Sequence, residues 1–180
     1  MQAKAKFLCI FILIFALFAI PLSIAVYLYN HPTLLTSRMS NKGKLILPPI
    51  TAEALNLVPN NKWSLILFEP TVCGKACSKA LYFLHQMQKA SGKNQDRITR
   101  ILLSTVAQTS LDQNLQISNI TLDQFIQVMQ IKNKIDFAAQ ANSIFIMDPH
   151  GNIMLAYPPG TDPMDIYKDL EHLLKASQIG

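Results

Sequence analysis

The hydrophobic and polar positions divide the chain into three parts of different character. Phe7–Tyr29 is a run of 23 residues without a charge. As a helix it would be about 34 Å long, which is enough to cross a bilayer core of about 30 Å. Residues 30–60 show little periodicity, whereas residues 61–180 alternate between strand-like and helix-like patterns. The pattern therefore predicts an N-terminal transmembrane anchor (1–29), a tether (30–60) and one folded domain (61–180).

The apolar run also has features of a cleaved signal peptide. Lys4 and Lys6 precede it, and residues 23–25 form a small-x-small cleavage pattern. The run continues past that pattern through residues 26–28, which favours a retained anchor. Both interpretations export the domain. The very short N-terminal tail favours a cytoplasmic N-terminus, which places the domain on the periplasmic side of the inner membrane.

Periodicity in the third part predicts an α/β fold. The apolar run Leu65–Phe68 indicates a strand that is covered on both faces. The elements that follow are a helix at Ala76–Ala90, a strand at Ile98–Val106, a capped helix from Thr121, a hairpin at Ser143–Tyr157 and a last helix from Asp162. A β-α-β unit followed by a β-β-α unit is the thioredoxin arrangement, with a central mixed sheet between helices. Residues 104–119 are polar and give no clear assignment.

Charge placement indicates contact with a membrane surface. The net charge is +5, but from residue 61 onward the charges nearly balance, with 11 Lys and Arg and 10 Asp and Glu. The excess flanks the apolar run, at Lys4, Lys6, Arg38, Lys42 and Lys44. Basic flanks suit lipid headgroups and give no support to nucleic-acid binding. The acidic residues Asp162, Asp165 and Asp169 are expected at the start and on the solvated face of the last helix.

Two cysteines carry the candidate chemistry. Cys73 and Cys77 lie where the first strand turns into a helix, and Lys75 and Lys79 add positive charge beside them. Backbone N–H groups and the positive end of the helix dipole stabilise a thiolate there, and the thiolate is both nucleophile and metal ligand. Cα atoms four residues apart on a helix are about 6 Å apart, which a disulfide tolerates. We expect Cys73 to attack and Cys77 to resolve.

Two other cysteine interpretations are open. The pair could be a structural staple, although so short a loop loses little chain entropy on closure. Cys9, inside the apolar run, is expected to be a packing residue.

With its cysteine pair and its later motifs, the sequence resembles the thioredoxin-like proteins of the SCO/SenC type, which assist cytochrome c oxidase assembly. The shared features are a short anchor, Cys73-x-x-x-Cys77 after an apolar strand, and the hairpin Ile144–Gly151. It is also similar to small proteobacterial membrane proteins of oxidase assembly. Those carry Asn-x-Gly-x-Leu and Pro-Pro, here within 41–49, and Gly-Lys-x-x-Asp-Arg, here 92–97.

One departure concerns copper, the cofactor that the resemblance implies. SCO-type proteins bind it with two cysteines and a histidine, and the position of that histidine is Gln140 here. Glutamine is a poor Cu(I) ligand. His85, His150 and His172 are expected too far away to substitute. A copper site at Cys73 and Cys77 is therefore an expectation with a missing third ligand.

The resemblance implies an accessory factor in cytochrome c oxidase assembly, which acts by thiol–disulfide exchange, by copper delivery or by both. Its expected partners are the membrane and oxidase subunits or other assembly factors. A general thiol-disulfide oxidoreductase and a non-catalytic scaffold that keeps the fold are the alternatives.

Overall fold

The computed structural model describes residues 2–31, 41–108, 112 and 114–177, with residues 2–9 described by their backbone only. Two units are separately compact, residues 1–40 and residues 41–180. Arg38, part of the predicted tether and part of the unassigned segment 104–119 lie outside the described residues, and so does the side chain of Cys9.

The N-terminal unit contains one helix, α1 (Gln2–Asn30). Its segment Ile10–Asn30 is long and apolar enough to cross a membrane, which agrees with the predicted anchor. A signal sequence near an N-terminus meets the same criterion, so retention of this helix stays a prediction.

The second unit is a mixed sheet with helices on both faces, which confirms the predicted fold class. Six strands form this sheet within the described residues, in the spatial order β1-β6-β5-β2-β3-β4. The strands are β1 (Lys44–Thr51), β2 (Trp63–Glu69), β3 (Ile98–Ser104), β4 (Leu115–Asn119), β5 (Ser143–Met147) and β6 (Asn152–Tyr157). The helices are α2 (Lys75–Ala90), α3 (Leu122–Ile126, continued by a π-helical turn, Gln127–Lys132) and α4 (Pro163–Ala176).

Strand pairing explains the thioredoxin-type arrangement. Strands β2, β3 and β4 are parallel, whereas β5 pairs antiparallel with β2, β6 with β5, and β1 with β6. The central strand β2 is buried along its whole length. Its alternate side chains pack on opposite faces, Leu65 and Leu67 under α2 and α4, Ile66 and Phe68 under α3. This confirms the prediction of a strand that is covered on both sides.

Local sequence signals place the helix ends. The side chain of Thr121 accepts a hydrogen bond from the N–H of Gln124, and the side chain of Asp162 accepts one from the N–H of Met164. Both predicted caps are confirmed. Gly92 follows the end of α2 with a φ of 54°, which is the left-handed conformation that glycine adopts easily.

Three expectations from the sequence need correction. Strand β4 lies in the segment without an assignment, since its Leu-Gln-Ile-Ser-Asn pattern is too short to stand out from polar neighbours. Strand β3 ends at Ser104 rather than at residue 106. The period of the helix from Thr121 also predicts Leu122 on its apolar face with Phe125, but the side chain of Leu122 is exposed.

Asp169 was expected on a solvated face, and that expectation is wrong. The residue is only 6% exposed. Its Oδ2 atom accepts hydrogen bonds from the N–H of Lys42 at 2.8 Å, the N–H of Gly43 at 2.9 Å and the hydroxyl of Tyr157 at 2.9 Å. Residues 44–51 form the edge strand β1 of the sheet, and Lys42 and Gly43 contact Asp169 of α4. The segment predicted as tether therefore belongs to the compact unit from residue 41 onward.

Candidate functional site

The cysteine loop connects the end of the central strand to the start of α2. Strand β2 ends at Glu69, where Pro70 offers no N–H to continue the strand pairing. Gly74 is the N-cap of α2 in an extended conformation, and its carbonyl accepts the first helical hydrogen bond from Ser78 at 2.9 Å. Cys73 therefore precedes the helix, and Cys77 lies in its first turn.

A disulfide bond joins Cys73 and Cys77, with Cα atoms 5.3 Å apart. Cys77 is 1% exposed and packs into the core between the sheet and α2. Cys73 is partly exposed. The two bonded sulfur atoms thus differ in access, because a group from solvent reaches Cys73 before Cys77. The assignment of Cys73 as attacking thiol and Cys77 as resolving thiol stays a prediction that this arrangement supports.

Polar side chains hold the cysteine loop in place, and the sequence alone did not identify them. Gln108 accepts a hydrogen bond from the N–H of Cys73 at 3.0 Å and donates to the carbonyl of Thr71 at 2.7 Å. It also donates to the hydroxyl of Ser104 at 2.8 Å. That hydroxyl donates to the carbonyl of Glu69 at 2.8 Å. One amide side chain thus connects the end of β3 to both halves of the loop.

The carboxylate of Glu69 also organises the loop. This residue is only 3% exposed, although its side chain is polar and it ends a strand. Its Oε1 atom accepts hydrogen bonds from the hydroxyl of Thr71 at 2.7 Å and from the N–H of Thr71 at 3.3 Å. A glutamate at the end of an otherwise apolar strand, directly before the cysteine loop, is a sequence signal that could have indicated this role.

The electrostatic field at the loop favours a thiolate. Lys75 and Lys79 are exposed beside the pair, and the first turn of α2 contains no acidic residue. The ammonium group of Lys79 lies 5.8 Å from the ring centroid of Phe83. Positive charge and the N-terminus of a helix both lower the free energy of a cysteine thiolate.

The histidines lie where the sequence predicted. Strand β5 runs antiparallel to β2, and Met147 pairs with Ser64 at the end of β2 remote from the cysteines. His150, in the turn after Met147, is therefore at the opposite end of the sheet. His172 is exposed on α4. Neither side chain is positioned to join the two sulfur atoms.

His85 belongs to a different cluster, on α2. Its Nδ1 atom is 3.8 Å from a carboxylate oxygen of Asp112. The same oxygen pairs at 2.7 Å with Arg100, which is 2% exposed. The hydrogen bond from Arg100 lowers the pKa of Asp112 below its ordinary value. This cluster neutralises a buried guanidinium and is separate from the cysteine site.

Gln140 lies at the cysteine end of the sheet. The nearby Ser143 pairs with Phe68, the last residue but one of β2. Gln140 itself is exposed. In the parts of the chain that the structure describes, no group of three or more His, Cys, Asp or Glu is placed to hold a metal ion. The reduced pair would supply two soft sulfur donors, and the residues present do not complete a two-cysteine, one-histidine copper site.

Comparisons with known proteins agree with this architecture. The family model described as "transmembrane-like, thioredoxin-like, C-terminal domain" matches residues 63–177. Among curated proteins none matches the chain in sequence. Several solved structures match at low identity, and such matches show the fold alone.

Two similar structures are those of yeast Sco1. The first is 16% identical, covers 78% of this chain and 97% of its own, and has a TM-score of 0.50. Yeast Sco1 with copper bound is 14% identical, covers 77% and 96%, and also has a TM-score of 0.50. Arabidopsis thaliana ScoI with copper bound is 13% identical, covers 75% and 99%, and has a TM-score of 0.49.

The resemblance to SCO/SenC-type proteins is thus confirmed in the fold. With its family model covering most of the folded unit, the chain belongs to the transmembrane-like, thioredoxin-like, C-terminal domain family.

Proposed function

We propose that this protein is a membrane-anchored thiol–disulfide exchange factor that assists cytochrome c oxidase assembly. The observation that carries the proposal is the disulfide between the partly exposed Cys73 and the buried Cys77, at the N-terminus of α2. A fold shared with Sco1 supports the oxidase context. The helix α1 would hold the domain at the inner membrane, facing the periplasm, beside a membrane-embedded client.

The proposed reaction transfers two electrons from the reduced pair to a client disulfide. The Cys73 thiolate attacks one client sulfur, the client S–S bond breaks, and the other client sulfur leaves as a thiolate. The Cys77 thiolate then attacks the Cys73 sulfur. This step releases the second client thiol and leaves the Cys73–Cys77 disulfide seen in the structure. An external dithiol reductant must reduce the pair before another cycle.

Copper delivery is the second candidate, and the donor set makes it the weaker one. Cu(I) prefers thiolate, thioether or imidazole ligands. Cys73 and Cys77 are two such ligands when reduced, but Gln140 supplies only an amide at the position that the SCO-type resemblance reserves for histidine. Reducing a client's copper-site cysteines requires no third ligand, so the residues of this chain fit that role better.

Trapping the client tests the proposal. In a Cys77→Ser variant, the mixed disulfide between Cys73 and the client cannot be resolved, so we expect a covalent complex that dithiothreitol cleaves by reduction. Mass spectrometry would identify an oxidase subunit or copper-site protein in it. The matched Cys73→Ser variant should trap nothing, because Cys77 is buried.

Two outcomes would contradict the proposal. Normal oxidase activity in cells that carry the double serine variant would indicate a non-catalytic scaffold. Rapid turnover of unrelated disulfides by the purified full chain, with no oxidase protein among the trapped clients, would indicate a general oxidoreductase.

A further inference from the structure

Four exposed lysines lie together where the first strand of the sheet begins. Lys42 and Lys44 belong to the segment that enters β1, whereas Lys132 ends the π-helical turn after α3 and Lys134 follows it. The ammonium group of Lys44 donates to the carbonyl of Lys134 at 2.7 Å. Because this contact joins positions that are 90 residues apart, the group exists only in the folded chain. We call these four residues the β1 lysine corner.

The β1 lysine corner carries an excess of positive charge. Within the part of the chain that the structure describes, none of its four side chains takes part in a salt bridge. Two aspartates lie near it: Asp136 is exposed in the segment that follows Lys134, and the buried Asp169 accepts a hydrogen bond from the N–H of Lys42. Four lysines and two aspartates leave two positive charges in excess, so the corner attracts anions.

An exposed apolar side chain lies next to these lysines. Ile131 directly precedes Lys132, and 62% of its surface is exposed. One exposed isoleucine is ordinary on a protein surface. An apolar side chain beside several lysines, however, fits the surface of an anionic bilayer. The ammonium groups then meet lipid phosphates, and the apolar group enters the boundary between headgroups and acyl chains.

The chain itself brings a lipid surface within reach of this corner. Nine residues, 32–40, separate His31 at the end of the described apolar segment from Asn41. An extended chain of nine residues spans at most about 32 Å. When α1 crosses a membrane, the headgroups therefore lie within that span of the start of β1. A soluble anion has no such tether, so the length of this segment favours a lipid as the occupant of the corner.

We propose that the β1 lysine corner docks the folded domain on anionic phospholipid headgroups of the membrane that α1 crosses. Its ammonium groups contact lipid phosphates, and Ile131 enters the headgroup boundary. Strands β6 and β5 separate β1 from β2, so three strand spacings of about 14 Å lie between the corner and the strand that leads to Cys73. Docking at this edge leaves the cysteine loop open to a client. The inference goes beyond the exchange function and does not depend on it.

Lysine footprinting of the full chain in lipid nanodiscs tests the proposal. One set of discs contains phosphatidylcholine alone, and the other contains about one third phosphatidylglycerol, which makes the surface anionic. An uncharged succinimidyl ester acetylates accessible lysines, and mass spectrometry gives the rate at each position. Lys89 is the internal reference, because it is exposed near the end of α2 that lies away from the cysteine loop.

We expect Lys44, Lys132 and Lys134 to react about fivefold more slowly in the anionic discs, relative to Lys89, because each lysine bound at a lipid phosphate is shielded. The slowing should disappear between about 0.1 M and about 1 M salt, where the screening length falls from about 10 Å to about 3 Å. Slowing that persists at the higher salt would contradict docking by charge.

Variants locate the effect. Lys132→Gln combined with Lys134→Gln should reduce the slowing at Lys44 to about twofold or less. The carbonyl of residue 134, which Lys44 contacts, remains in this variant. Lys62→Gln combined with Lys93→Gln removes two exposed lysines elsewhere on the domain and should keep the full effect.

A third pair of variants tests the apolar contact. Ile131→Ser should lower the fivefold slowing at Lys44 to about twofold. Val58→Ser, at a position that is 81% exposed, is the matched control and should change nothing.

Two results would overturn the inference. Equal rates at the β1 lysine corner in both kinds of disc would show that it does not bind anionic lipid. Slowing of Lys89 to the same extent would show that the whole domain, and not this corner, responds to the surface. No thiol takes part in these measurements, so either result leaves the exchange function standing.

Discussion

Replacing Asp169 by alanine should destabilise the domain strongly, because one carboxylate oxygen holds three donors that the chain brings together from distant positions. The N–H of Gly43 and the hydroxyl of Tyr157 are buried at these contacts. The N–H of Lys42 is partly buried. Burial and the neighbouring Asp169 raise the pKa of Tyr157 well above its usual range, so its hydroxyl stays protonated and donates. The variant leaves all three donors without this acceptor.

The size of the effect follows from the two buried donors. Each buried group that loses its partner costs about 1–3 kcal/mol. The folded state no longer has to desolvate a carboxylate, which offsets part of that cost. We expect a net loss of about 3 kcal/mol in the free energy of unfolding. With an m-value of about 1.5 kcal/mol/M, the urea midpoint should fall by about 2 M.

The fluorescence of Trp63 provides the assay. It is the one tryptophan of the chain, and it is buried in β2, so its emission reports unfolding of the domain and not of the anchor helix. Asp169→Asn, which keeps one acceptor oxygen, should lose about half as much stability. Asp165→Ala on the same helix is the control, with an expected change below about 1 kcal/mol. A midpoint for Asp169→Ala within about 0.3 M of the wild-type value would refute the reasoning.

Three further predictions concern copper binding by a variant, stability in acid and the packing of Gly43. Gln140→His should strengthen Cu(I) binding by the reduced chain about tenfold or more in chelator competition, whereas equal affinities would mean that residue 140 does not reach the sulfur atoms. The pKa of Asp112 is lowered by Arg100, so its stabilising contribution is complete above the ordinary value of 3.8 and is lost as the pH falls through the folded-state pKa. Asp112→Asn should therefore flatten the acid limb of a stability–pH curve, and an unchanged limb would contradict this. Gly43→Ala would place its Cβ 2.6 Å from ring atoms of Tyr157 and should lower the free energy of unfolding in urea by about 1–3 kcal/mol. A loss no larger than that of a tolerated surface substitution would contradict this.

Local patterns in the sequence were enough for most elements of the fold. The apolar run of β2, the caps at Thr121 and Asp162 and the Asp148–Gly151 turn each depend on residues within a few positions of one another. Physical signals of this kind are present before the chain folds. The location of Cys73 and Cys77 at a strand-to-helix junction follows from them.

The partners of the site could not be found in the same way. Gln108 is 35 residues from Cys73 and lies in a polar segment without periodicity. Strand β4 is identified by its pairing with β3, because its own five residues carry too little pattern to predict a strand. The N–H of Asn142 likewise donates to the carbonyl of Phe68, which lies far from it in the sequence.

The sequence by itself determined an apolar segment of membrane-spanning length, the order of the main strands and helices, and a cysteine pair at the start of a helix. Periodicity, caps and turns encode these features locally. Tertiary structure alone decided that Asp169 is buried rather than solvated and that Gln108 supports the cysteine loop. The reason is physical: burial and hydrogen bonding across long sequence separations depend on how whole elements pack, and no short stretch of the chain determines that packing.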